Sequence, residues 1–110
     1  MAIAGIDIGS GTTKCVLVDE QGQVLGRGQV KTKADFEKVA REALEAARQD
    51  MGRTGEEVAY VATTGLGRYA VSFRDIQITD LTCGARGAAT LFAQAGYVLC
   101  VCCSAIILAA

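Results

Sequence analysis

The sequence predicts a small α/β domain with the element order βββαβαβ. Three observations predict this class: short apolar runs separated by glycine turns in the first third of the chain, a run of helical period after them, and a second β-rich run beyond the helix. The chain has 110 residues, of which 51% are hydrophobic and 21% charged. This composition is typical of one folded domain and excludes a disordered, solvated segment.

The first three strands are predicted from apolar runs that end at glycines. Residues 2–8 form an apolar strand that ends in Asp and Ile, and residues 12–20 and 23–31 form the next two strands. The turns fall at residues 9–11 and 21–22, where glycine permits a tight reversal of the chain. Strand, turn, strand, turn, strand predicts an antiparallel meander.

A helix follows from about Ala34 to Met51, where apolar residues recur at steps of three and four. Thr32 and Asp35 are spaced as an N-terminal cap pair, and Gly52 stands where a helix ends. The apolar stripe predicts that this helix packs on the sheet as a scaffold.

The second half of the chain contains shorter predicted elements. A fourth strand runs into a glycine turn, a brief strand follows, and a helix of small residues, expected to pack closely on its neighbours, precedes one more strand. These elements fall at residues 57–64, 65–68, 76–78, 81–92 and 97–104.

Charge and cysteine usage exclude several classes of function. The formal net charge of −1 gives no electrostatic basis for binding nucleic acid, and the absence of His excludes imidazole chemistry within this chain. Five cysteines and an N-terminus unlike a signal peptide predict free thiols in a reducing compartment, so we expect a cytoplasmic protein. Cys100, Cys102 and Cys103 are interpreted as buried thiols, since three thiols without His make a weak metal site.

The chain from Gly87 to Ala110 carries no charged residue. Its dense apolar part, residues 97–110, is shorter than the roughly 20 residues that a transmembrane helix needs, and no basic cluster follows it. We therefore expect a buried helix and strand here. The alternative is a membrane-spanning helix.

The most informative stretch is residues 5–14, where a buried strand delivers a carboxylate to a glycine turn. Glycine N–H groups can converge on an anion, hydroxyls add donors, a lysine adds positive charge, and the carboxylate can hold Mg²⁺ through water. The spacing is neither that of a Walker loop nor that of a dinucleotide fingerprint. We predict a site for the phosphates of a nucleotide, with an ordinary glycine hairpin as the alternative. The predicted site consists of Asp7, Gly9, Ser10, Gly11, Thr12, Thr13 and Lys14.

Three blocks of sequence carry a resemblance to a known family. Asp7-Ile8-Gly9-Ser10 with Thr13-Lys14, followed by the βββα order, resembles the first phosphate loop of the actin, Hsp70 and sugar-kinase superfamily. Within it the chain is similar to the BadF/BadG/BcrA/BcrD-type ATPases, the ATPase subunits of benzoyl-CoA reductase and the activators of 2-hydroxyacyl-CoA dehydratases. The resemblance implies a ribonuclease-H-like, actin-like ATPase subdomain. The matching blocks are residues 5–15, 62–68 and 80–88.

The resemblance implies ATP-driven, low-potential electron transfer. Members of this family pair with a homologous subunit, as a homodimer or heterodimer, around one [4Fe-4S] cluster, and they act on a reductase or dehydratase component. By position, the resemblance implies that Asp7 and the turn residues 9–14 hold ATP and Mg²⁺. It also implies that Asp7 is the catalytic carboxylate. Gly65, Gly67 and Arg68 face the nucleotide, or form a simple glycine turn with a solvated arginine. Cys83 is expected to be buried and not to bind the cluster.

The chain departs from the family pattern after Phe92. Where the family has V-L-D-I-G, the chain has Cys at the positions of the Asp and the Gly, and the cluster ligands do not follow. We therefore interpret residues 1–92 as the N-terminal half of an actin-like ATPase domain and residues 93–110 as a divergent apolar tail, in a truncated or frame-shifted subunit that is inactive alone. The alternatives are a fragment of a sugar or acyl kinase and a non-catalytic interaction domain with an apolar docking tail.

Overall fold

The computed structural model divides the chain into two compact units, Met1–Gln77 and Ile78–Ala110. The predicted division after Phe92 concerns the family pattern and stays a prediction. The structure describes residues 1–52, 57–94, 97–100 and 105–108.

The first unit is a five-stranded sheet with one helix. The sheet order is β3-β2-β1-β4-β5, with β1 antiparallel to β2, β2 antiparallel to β3, and β1 parallel to β4. The predicted meander is confirmed, and β1 lies at the centre of the sheet. The elements are β1 (Ala2–Ile8), β2 (Thr12–Val18), β3 (Val24–Lys31), α1 (Phe36–Met51), β4 (Val58–Gly65) and β5 (Ile76–Gln77).

The core of this unit forms between one face of the sheet and α1. Alternate residues of β1 are buried, as the two-residue period of a strand requires, and the apolar stripe of α1 is buried with them. The predicted scaffold role of the helix is confirmed. The core residues include Ala2, Ala4, Ile6, Ile8, Cys15, Leu17, Val39, Ala40, Ala43 and Ala47.

Glycines in β3 let the helix approach the sheet closely. A Cβ at Gly28 would lie 2.6 Å from the Ala47 backbone nitrogen, and one at Gly26 would lie 2.8 Å from that of Met51. Both distances are too short for non-bonded atoms, so α1 packs directly on the β3 backbone.

The predicted cap pair of α1 is wrong in one member. Asp35 is the N-cap, and its side chain accepts a hydrogen bond from the Lys38 N–H at 3.1 Å. Thr32 does not cap the helix, because its hydroxyl hydrogen-bonds Thr13 at 2.8 Å. Gly52 ends the helix as predicted, with a left-handed φ of 67°.

The second unit contains α2 (Asp80–Leu91), β6 (Tyr97–Cys100) and β7 (Ala105–Leu108), with β6 antiparallel to β7. The expectation of a closely packed α2 is wrong, because none of its residues is buried and Cys83 is only half-buried. Phe92, just after it, is 67% exposed. Of the helices that the structure describes, neither has the length and apolar character that a bilayer crossing needs.

The predicted strand over residues 97–104 is described only as far as Cys100, and its remainder lies outside the described residues. The same holds for the predicted burial of the thiols of Cys100, Cys102 and Cys103.

Candidate functional site

The predicted phosphate turn joins β1 to β2 and is closed by few bonds. Ile8 pairs with Thr13 in the ladder, and the Gly9 N–H donates to the Thr12 carbonyl at 3.1 Å. A Cβ at Gly9 would lie 2.9 Å from that carbonyl oxygen, so the tight turn requires glycine there. Ser10 and Gly11 are exposed. Within the described part of the chain their N–H groups have no acceptor, and they are therefore free to bind an anion.

Asp7 and Lys14 lie side by side at the base of this turn. They are register partners across β1 and β2, so both occupy the sheet face opposite α1, while Ile6 and Ile8 are buried on the helix side. Lys14 is exposed and Asp7 half-buried. No ion pair joins the two among the described residues, although both charges flank the same turn.

The two threonines of the turn have different environments. Thr12 is half-buried and shares the face of Lys14, two residues along β2. Thr13 is fully buried on the α1 side, where its hydroxyl bonds Thr32. The Thr32 N–H also donates to the Gly11 carbonyl at 3.1 Å. Thr13 thus ties the turn to the segment before α1, and its hydroxyl is turned away from the Asp7 face.

The second glycine turn lies at the end of β4, as predicted, and the parallel pairing of β4 with β1 places it next to the end of β1. Gly65 has a left-handed φ of 88°, and a Cβ there would lie 2.5 Å from Asp7 Oδ1. The Gly67 N–H donates to the Ile8 carbonyl at 3.2 Å. A Cβ at Gly67 would lie 2.9 Å from Cγ of the Phe36 ring. Both glycines therefore permit close contact with β1.

Arg68 is half-buried and is bound within this second turn. Its Nη1 donates to the Gly65 carbonyl at 2.9 Å, and its guanidinium carbon lies 4.8 Å from the centre of the Tyr69 ring. Its own carbonyl accepts a hydrogen bond from the Thr63 hydroxyl at 2.8 Å. Arg68 thereby closes the turn on itself.

Sequence reasoning missed Thr64, which faces Asp7. The register of the parallel strands β1 and β4 pairs Asp7 with Thr64, so both lie on the open face. Thr64 Oγ1 is buried and has no hydrogen-bond partner within the described residues. The signal in the sequence was the Thr63-Thr64 pair, but its use requires knowing that β4 lies beside β1.

The donor set fits a magnesium-bound polyphosphate. A carboxylate, an ammonium group, and backbone N–H groups and a hydroxyl that have no partner among the described residues lie at one edge of the sheet. Mg²⁺ prefers few protein oxygens and several waters. Cys15 does not lie on this face, since it is buried on the α1 side of the sheet, where burial raises the pKa of its thiol to about 12. No group of three His, Cys, Asp or Glu side chains that could hold a metal ion occurs in the residues described.

Curated relatives share this region. The uncharacterized protein MJ0800 of Methanocaldococcus jannaschii is 40% identical over 90 residues, which cover 79% of this chain and 21% of that protein. A benzoyl-CoA reductase subunit of Thauera aromatica is 36% identical, with 87% of this chain and 35% of the relative covered. The activator of lactoyl-CoA dehydratase of Anaerotignum propionicum is 31% identical, with 79% of this chain and 33% of the relative covered. The chain thus spans about a fifth to a third of the length of these relatives.

Solved structures confirm the predicted actin-like α/β fold. The activator of 2-hydroxyisocaproyl-CoA dehydratase from Clostridium difficile, with bound ADPNP, matches with a TM-score of 0.77 and 27% identity, covering 88% of this chain and 36% of that one. Component A of (R)-2-hydroxyglutaryl-CoA dehydratase from Acidaminococcus fermentans matches with a TM-score of 0.78 and 21% identity, covering 88% of this chain and 38% of that one. A glucokinase from Streptomyces griseus matches with a TM-score of 0.61 and 18% identity, covering 88% of this chain and 39% of that one. At this identity the likeness is one of fold alone.

The sequence profile of one family covers most of the chain. It matches residues 4–105, a span that includes both glycine turns and continues past Phe92. The family prediction made from the three sequence blocks is therefore confirmed: the chain belongs to the BadF/BadG/BcrA/BcrD ATPase family.

Proposed function

We propose that the β1–β2 turn holds the phosphates of ATP, with Mg²⁺ beside Asp7. The observation that carries this proposal is the pairing of Asp7 with Lys14 at the base of a turn whose Ser10 and Gly11 N–H groups have no acceptor in the described part of the chain. The ATPase family and the structural neighbour with bound ADPNP support the choice of ligand.

Each group of the turn has a distinct task in this proposal. The free N–H groups and the hydroxyls of Ser10 and Thr12 donate to phosphate oxygens, and Lys14 supplies positive charge. Asp7 would hold Mg²⁺ through its water shell, and the cation would supply positive charge to neutralise the phosphates. Thr13 acts indirectly, because its bond to Thr32 holds the turn in place.

The second glycine turn acts as a support for Asp7 in this proposal. Gly65 leaves room for the Asp7 carboxylate, and Gly67 hydrogen-bonds the end of β1. Arg68 is bound to its own turn, so a contact between Arg68 and phosphate would require the side chain to leave the Gly65 carbonyl.

For the longer protein to which this region corresponds, we propose a cytoplasmic ATPase subunit that couples ATP hydrolysis to low-potential electron transfer. Relatives named as a benzoyl-CoA reductase subunit and a lactoyl-CoA dehydratase activator support an acyl-CoA reductase or dehydratase component as partner. Pairing with a homologous subunit around a [4Fe-4S] cluster is part of the same proposal. Hydrolysis is proposed for the whole subunit, because catalysis by positioning needs both sides of a nucleotide cleft.

Titration of the 110-residue chain with Mg²⁺ and ADPNP, followed by amide chemical shifts, tests the proposal. We expect the largest shifts in residues 9–14, and we expect Asp7→Asn to abolish the Mg²⁺ dependence of binding. Glu45→Gln is the matched control, since Glu45 is an exposed carboxylate on α1. Shifts confined to the second unit, or spread evenly over the surface, would contradict the proposal.

A further inference from the structure

Two buried side-chain polar atoms lack a hydrogen-bond partner within the described residues, and both belong to the segment that ends β4. They are Thr64 Oγ1 and Arg68 Nε. Buried polar groups in folded proteins are bonded in the large majority of cases, so each exception needs an explanation. The Arg68 guanidinium is already held by the Gly65 carbonyl and the Tyr69 ring. The Thr64 hydroxyl has no such contact.

The neighbouring Thr63 shows that a buried hydroxyl of this segment can form a hydrogen bond within the fold. Thr63 faces α1, is 1% exposed, and donates to the Arg68 carbonyl at 2.8 Å. Thr64 faces the opposite side of the sheet because successive strand residues alternate. A structural role is therefore documented for Thr63 and not for Thr64.

The register places Thr64 directly beside Asp7. The two residues are partners in the parallel pairing of β1 and β4, and neighbouring strands lie about 4.8 Å apart. The Asp7 carboxylate also leans toward β4, since its Oδ1 is 2.5 Å from the point where a Cβ of Gly65 would stand. The hydroxyl and the carboxylate are thus adjacent on one face.

We propose that Thr64 is a positioning residue whose hydroxyl donates a hydrogen bond to the Asp7 carboxylate when that carboxylate holds the water shell of a divalent cation. This inference rests on the proposed function, because it assigns a supporting group to the same cation. The bond fixes which carboxylate oxygen faces the cation, and such supporting bonds tune the affinity of many metal sites.

Binding of Mn²⁺ to the 110-residue chain in saturating inorganic pyrophosphate, counted by electron paramagnetic resonance, tests the inference. Thr64→Val removes the hydroxyl and keeps the shape, so we expect the affinity for Mn²⁺ to fall by about tenfold or more. Thr64→Ser keeps the hydroxyl and restores the affinity. Thr90→Val is the matched control, since the Thr90 hydroxyl donates to the Arg86 carbonyl of its own helix and has no other partner among the described residues. If Thr64→Val does not fold, Thr64→Ala takes its place.

The outcomes separate the inference from the proposed function. Mn²⁺ affinity that is lost in Asp7→Asn but unchanged in Thr64→Val overturns the inference and leaves the proposed function intact. Equal weakening in Thr64→Val and Thr64→Ser assigns the effect to packing and also overturns the inference. If the unsubstituted chain takes up no Mn²⁺ with pyrophosphate, both proposals fail.

Discussion

Two glycine turns meet at one edge of the central sheet, and they use their backbone groups differently. The turn after β1 is closed across the hairpin by the Gly9 N–H, and the N–H groups of Ser10 and Gly11 have no acceptor among the residues that the structure describes. The turn after β4 uses its groups within the fold, through Gly67 to β1 and through Arg68 to the Gly65 carbonyl. Glycine thus leaves backbone donors open in the first turn and permits close packing in the second.

Alanine substitution in each turn should separate these two uses most strongly. Gly65→Ala combines a left-handed φ of 88° with a Cβ that would strike Asp7 and the Ile8 carbonyl, so we expect a loss of about 3 kcal/mol in the free energy of unfolding. Gly11→Ala is the matched control, because no atom lies within 4 Å of its added Cβ. Urea denaturation measures both. Equal losses would mean that the two turns are packed alike.

Substitution of Lys14 should mainly lower the affinity for nucleotide, whereas substitution of Arg68 should mainly lower the free energy of unfolding. Lys14→Gln removes an exposed charge, so we expect affinity for Mg²⁺ and ADPNP to fall about tenfold while the free energy of unfolding changes by less than about 0.5 kcal/mol. Arg68→Gln removes the bond to the Gly65 carbonyl, so we expect a stability loss of about 1–2 kcal/mol. Isothermal calorimetry and urea denaturation of both variants provide the readouts. A larger loss of affinity in Arg68→Gln than in Lys14→Gln would reverse the assignment.

The hydrogen bond between Thr13 and Thr32, which ties the β1–β2 turn to the segment before α1, is expected to contribute less to the free energy of unfolding. Thr32→Val removes the partner of the buried Thr13 hydroxyl and keeps the Thr32 backbone bond to Gly11, so we expect about 1–2 kcal/mol of destabilisation. Thr12→Val changes a half-buried threonine of the same turn without breaking a described side-chain hydrogen bond. Urea denaturation compares the two variants. If both lose the same stability, the bond between Thr13 and Thr32 is not what holds the turn.

The sequence predicted those parts of the fold that depend on local pattern. The glycine turns and two-residue alternation of the first three strands led to the meander, and the helical period led to α1. The cap was predicted less accurately, since Thr32 and Asp35 both suit an N-cap and only the tertiary contact with Thr13 decides between them. The expected packing of α2 failed for the same reason, because composition does not determine which surface a helix meets.

The placement of the candidate site residues could be predicted from the sequence on the β1–β2 side and only partly on the β4 side. Asp7 and Lys14 are register partners across one hairpin, so their proximity follows from the turn. Thr64 comes beside Asp7 only through parallel pairing with a distant strand, which no local pattern specifies. The side-chain direction of Arg68 depends on the Gly65 carbonyl, and that contact exists only after the turn has formed.

The smallest expected effect on stability comes from the hydrogen bonds that join the segment after the second turn to α1. Ser72 donates from both its hydroxyl and its N–H to the Glu37 carboxylate, and these bonds, with Arg41 nearby, lower the pKa of Glu37 below its usual value. A lowered pKa in the folded state means that the stabilisation is present above the unfolded-state pKa and is lost as the pH falls through the folded-state pKa. Glu37→Gln should therefore be less stable than the unsubstituted chain at pH 7, and the difference should shrink as the pH falls below about 4.3. Urea denaturation at several pH values measures this, with Glu42→Gln on the same helix as control. A difference that is independent of pH would mean that the contact between Ser72 and Glu37 does not depend on the carboxylate charge.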